Sequence, residues 1–205
     1  MTSVRGLFTG GSDGNERLTA ATAAVLLVLL AAEGATLFAV VQLLLPHVFI
    51  GFLLIPPVAL KLASTGWRMV SYYRRSDEYA RRGPPNAILR FVVGPVVVVS
   101  TIALFASGVA LVAFARGGEL LVIHKLSFIV WVAAMSVHVL AHVLELPPLI
   151  ARDWWRSDRH GGRRARQALL AGTLVAGLLL ALVTASPLVD HWQDRTTGTI
   201  GIESR

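Results

Sequence analysis

Cysteine is absent from the chain, which excludes disulfides, thiolate metal sites, iron–sulfur clusters and thiol nucleophiles. Charge is scarce: only 15% of the 205 residues are Asp, Glu, Lys or Arg, where soluble domains run near a quarter. Neither G-x-G-x-x-G nor a Walker phosphate loop occurs. Serine–histidine–aspartate and paired-carboxylate arrangements are also missing, since Glu33 and Glu145, the main acids in apolar stretches, lie far apart. What fills the chain instead is apolar, at 55%, more than one soluble core of this length could bury.

A hydrocarbon core about 30 Å thick needs roughly 20 mainly apolar residues in a helix. Five stretches qualify: Leu18–Leu45, His47–Tyr72, Ala87–Ala115, Leu120–Ile150 and Ala168–Pro187. The expected fold is all-α and integral to the membrane, an up-and-down four-helix transmembrane bundle plus a fifth transmembrane helix. Residues 1–17 read as a cytoplasmic leader, 18–187 as the membrane domain and 188–205 as a flexible extracytoplasmic tail. The first span is not expected to be a cleaved signal peptide, because a polar, Gly-rich leader precedes it and no suitable small-residue cleavage site follows.

Of the 19 basic residues, fourteen fall in 5–17, 68–90 and 152–166, and four (Arg116, Lys125, Arg195, Arg205) on the opposite side. The positive-inside rule then places the N-terminus in the cytoplasm and the C-terminus outside a bacterial inner membrane. The net charge of +7 thereby becomes topological, facing anionic lipid head groups, and calls for no nucleic acid. Helices 1 and 2 are joined by few residues around Pro46 and must be antiparallel neighbours, with Pro46 suited to a first helical turn. Pro56-Pro57 should kink helix 2 and free carbonyls that only a bundle interior tolerates. Gly83-Pro84-Pro85 ends the loop before helix 3, and Pro147-Pro148 ends or bends helix 4. Arg156–Arg166 reads as a solvated loop, with His160 there and His191 in the tail as surface residues. The Arg68–Arg75 stretch and Trp154-Trp155 read as interfacial anchors.

Polar groups within spans are few: Glu33, His47, Lys61, Arg68, His124, Lys125, His138 and His142. Such residues usually face a bundle interior. Helices 2 and 4 run in the same direction, so His47 and His124, each near a helix start, should share one depth near the outer face. Two neutral imidazoles from facing helices make the axial pair of a six-coordinate haem iron. A 14-residue step returns to within about 40° of the same helix face and moves about 21 Å along the axis. His124 and His138 have that spacing, as do His47 and Lys61, and Gly94 and Gly108 on helix 3. Gly94, Gly108, Gly51 and Gly34 could leave room for a flat macrocycle. Taken singly, His47 beside Pro46 and His124 beside Lys125 read equally as interfacial residues, and His138 as a histidine bonded across helices.

Over Leu18–Leu146 this pattern resembles the membrane di-haem b-type cytochromes. That superfamily includes the cytochrome-b subunits of respiratory formate dehydrogenases and hydrogenases. The resemblance implies haem b, one or two copies, with His47 and His124 on the outer haem and His138 on the inner. It also implies an electron-transfer subunit exchanging electrons between quinone or quinol and a soluble or membrane redox partner, rather than a stand-alone enzyme. Where the family has a fourth histidine this chain has Lys61, so the inner site is expected to be lost, or Lys61 to pair with Glu33 or a haem propionate. His142, 18 residues from His124, could replace His138, bind a propionate or join a proton path with Glu33, and Arg68 could contact a propionate or an anionic partner. The rival reading is a haem-free structural or assembly subunit, or a small proton-coupled carrier, using Glu33, Lys61, His138 and His142.

Overall fold

The computed structural model describes residues 11–73, 89–114, 118–142 and 163–203. The loops around Gly83-Pro84-Pro85, Pro147-Pro148 and Trp154-Trp155, with His160, lie outside them. Every described segment is helical or a short turn between helices. Five helices carry the chain: α1 (Gly11–Thr36), α2 (Leu44–Tyr73), α3 (Gly94–Phe114), α4 (Glu119–His142) and α5 (Arg163–Glu203). All five are long and apolar enough to cross a membrane, so this is an all-α, multi-pass membrane protein.

Helix boundaries follow from local chemistry and correct several expectations. α1 ends at Thr36, not Leu45, and a 3₁₀ turn (Leu37–Ala39) leads into the reversal. The Leu43 amide donates to the Ala39 carbonyl at 2.8 Å, and the His47 amide to Leu43 at 2.8 Å. α2 thus starts at Leu44, ahead of Pro46, whose missing N–H falls in the first turn, where no intrahelical partner exists. The leader assigned to 1–17 is helical from Gly11 onward, and Asn15 is buried. A π turn (Leu89–Val93) precedes α3; Pro95 cannot donate to the Phe91 carbonyl, and a wider turn accommodates the gap. Gly118, with φ +64°, takes a left-handed conformation that glycine adopts without strain, and α4 begins at the next residue. The tail expected to be flexible from 188 continues α5 through Pro187 as helix to Glu203. Membrane helices accept such a proline because surroundings can meet the freed carbonyl.

The helices form two groups. α2 packs most extensively against α5 and next against α1, while α3 pairs chiefly with α4. α5 is therefore not an addition at the edge but the principal partner of α2. The groups meet where α3 touches α5 and α2, around Val48 and Phe52 of α2, Val112 of α3, and Ala181, Ala185 and Val189 of α5. α4 packs on α3 and its π turn, and the rest of its apolar surface is left for lipid.

One contact explains the α2–α5 closeness. Pro57, fully buried, lacks the N–H that would meet the Leu53 carbonyl in a regular helix. Gly177 of α5 lies against that carbonyl: a Cβ on Gly177 would meet the Leu53 oxygen and lie 3.1 Å from its carbon. The glycine Cα–H occupies this space and faces the freed acceptor, a weak hydrogen bond of the kind common between close helices. At the other end of α1 and α2, the Asn15 amide donates to the Ser64 carbonyl at 3.1 Å and the Thr19 hydroxyl to Ser64 Oγ at 3.1 Å.

Candidate functional site: two anchored imidazoles

His47 opens α2 beside the last turn of α1. Its Nδ1 lies 3.0 Å from Glu33 Oε1 and 2.9 Å from Thr36 Oγ1. The Thr36 hydroxyl donates its own proton to the Glu33 carbonyl at 2.6 Å, so towards His47 its oxygen can only accept. An ionised Glu33 likewise only accepts, so with that carboxylate charged the His47 proton sits on Nδ1. Gly51, one turn along α2, borders the carboxylate, and a Cβ there would make ordinary contact at 3.8 Å from Glu33 Oε1.

His124, in the second turn of α4, lies against α3. Its Nδ1 is 3.1 Å from the Leu104 carbonyl and 3.1 Å from Ser107 Oγ. A carbonyl only accepts, and the Ser107 hydroxyl donates to the Ala103 carbonyl at 2.6 Å. The His124 proton is on Nδ1 as well. Gly108 lets the ring approach, since a Cβ there would lie 3.0 Å from His124 Cε1. The room expected at Gly108 for a macrocycle thus holds the His124 ring itself.

Both imidazoles consequently present an unprotonated Nε2 with no hydrogen-bond partner among the described residues, the nitrogen that binds a metal when Nδ1–H is held by an acceptor. They share one level of the molecule: Val48 beside His47 and Val112 one turn from Gly108 belong to the same core cluster. α2 and α4 make no extensive direct contact.

The remaining expected residues fall elsewhere. Lys61 Nζ donates to the Thr19 carbonyl of α1 at 3.0 Å, while Glu33 takes His47, so the Lys61–Glu33 pair does not form. Arg68 is exposed on the same helix, near enough for its charge to act on Lys61. His138 is half-buried on α4. α4 also touches the π turn that ends just before Gly94. His142 closes α4, and its side chain lies outside the described residues. A Cβ at Gly34 would have nothing within 4 Å, so this glycine makes no room at the site. No group of three or more His, Cys, Asp or Glu suited to a metal ion occurs among the described residues; a bis-imidazole iron needs only two.

Sequence reasoning missed Thr36, Ser107 and Leu104. The signal available was spacing: Thr36 follows Glu33 by three residues, onto the same helix face, and Ser107 adjoins Gly108. No protein-family model, curated protein or solved structure matches this chain.

Proposed function

We propose that the protein is a b-type membrane cytochrome carrying one haem b between His47 and His124. The observation that supports it is the shared tautomer: hydrogen bonds from each Nδ1–H leave both Nε2 lone pairs available. Haem, when bound, supplies one-electron exchange between ferric and ferrous iron. The chain's own residues do the rest. Glu33 and Thr36 fix the His47 ring, and Leu104 and Ser107 fix that of His124, so neither imidazole must lose a second proton or break a bond to donate. Val48, Phe52 and Val112 keep water from the adjoining core.

A second haem has weaker support, because Lys61 is committed to the Thr19 carbonyl. By the distribution of basic residues, the His47–His124 level faces the outer side of a bacterial inner membrane. We propose exchange with quinone or quinol there and with a separate redox partner, whose identity neighbouring genes for a molybdenum or flavin oxidoreductase would narrow.

The reduced-minus-oxidised visible spectrum of the purified protein tests the reading. A sharp b-type α-band, and one pyridine haemochrome per chain, are expected. His47→Ala and His124→Ala should each abolish the low-spin spectrum. A featureless trace from the parent protein overturns the proposal, and a normal low-spin spectrum in either variant overturns the ligand assignment.

A further inference from the structure

The two anchored imidazoles are not equivalent. The Nδ1–H of His124 meets a neutral carbonyl and a hydroxyl. That of His47 meets a carboxylate, Glu33 Oε1, together with the Thr36 hydroxyl oxygen. The Glu33 side chain is only 17% exposed, and its Oε2 is buried with no partner among the described residues. Lys61, the cation sequence reasoning would assign to it, is bonded to α1 near the opposite end. Glu33 therefore lies at membrane depth with one neutral donor, the His47 Nδ1–H, and no cation among the described residues, an expensive arrangement for a carboxylate in hydrocarbon.

A ferric iron in a porphyrin with two neutral imidazoles carries one net positive charge at its centre; the ferrous form carries none. We infer that Glu33 is the charge partner of the oxidised haem, acting through His47 to favour ferric over ferrous iron. This rests on the haem proposal above. Two effects run in the same direction. A carboxylate accepting the Nδ1 proton makes the imidazole a stronger donor, and its charge in a medium of low dielectric opposes addition of an electron nearby. Glu33 is thus a positioning residue that also sets the redox balance, while His124 is anchored without charge.

The test is a redox titration of Glu33→Gln in the full-length haem-loaded protein. Glutamine keeps the shape and an acceptor oxygen and removes the charge. The low-spin spectrum should persist while the ratio of reduced to oxidised haem at fixed ambient potential rises at least tenfold, an upward shift of about 59 mV for a one-electron couple. Glu33→Asp, which retains the charge, should stay closer to the parent value than Glu33→Gln. An unchanged potential with intact haem overturns the role of Glu33 and leaves the haem assignment standing. Absence of haem from the parent protein overturns both. Should Glu33→Gln not assemble, Glu33→Ala decides: it also removes the carboxylate charge, so its potential should rise in the same direction, and a parent-like potential with intact haem overturns the inference.

Discussion

At Gly108 a single added methyl group would press on the His124 ring, at 3.0 Å from Cε1 and 3.4 Å from Nδ1. The ring can yield only by stretching the bonds to Leu104 and Ser107 that fix its proton. Gly108→Ala should therefore weaken haem binding about fivefold or more, taking the low end of the usual 1–3 kcal/mol for overpacking. Gly34→Ala, with nothing within 4 Å, should leave haem content unchanged; pyridine haemochrome per chain after titration with haem measures both. The two histidines were legible in the sequence because ionisable residues within apolar spans are rare. Their anchors were not, since a serine or threonine in a membrane helix most often satisfies its hydroxyl on its own helix. Thr36 and Ser107 do that too, and only the fold shows the second contact. The Glu33–Lys61 pairing failed on depth. Lys61 lies 17 residues into α2, about 25 Å from its start, whereas Glu33 sits beside the turn.

Among the helices, the α2–α5 seam depends on a position with no side chain. Gly177→Ala would drive a methyl group into the Leu53 carbonyl and separate the two helices, at a cost of about 1–3 kcal/mol. A lower Tm in detergent is expected. Gly172→Ala on the same helix, with open space around it, should be neutral or slightly stabilising, because alanine is the better helix former. All five spans were readable from hydropathy, and Pro46 from its fixed φ. Helix ends were less so. Proline marked the expected end of the last span at Pro187, yet a membrane helix continues past proline where its surroundings permit. That α5 would choose α2 as its main partner had no local signal, because the pairing depends on a carbonyl freed by Pro57 and a glycine far along the chain.

Considered whole, the molecule divides between α1–α2–α5 and α3–α4, with one proposed ligand on each side of the division. A group bound to both imidazoles would tie the halves together. Haem loading should accordingly raise Tm, with a stabilisation of about 4 kcal/mol when free haem exceeds its Kd a thousandfold. His47→Ala and His124→Ala should lose that gain, as read by thermal unfolding with and without haem. The Gly177–Leu53 contact has a consequence for biosynthesis. Residues 74–162 are translated between α2 and its chief partner, an interval of roughly 5 to 20 seconds at 5–20 residues per second. Throughout that wait the Leu53 oxygen lacks its cover, and a nascent chain halted before α5 keeps a bare acceptor in the lipid. The last of the five helices to leave the ribosome is thus the one that makes the second acceptable to the bilayer.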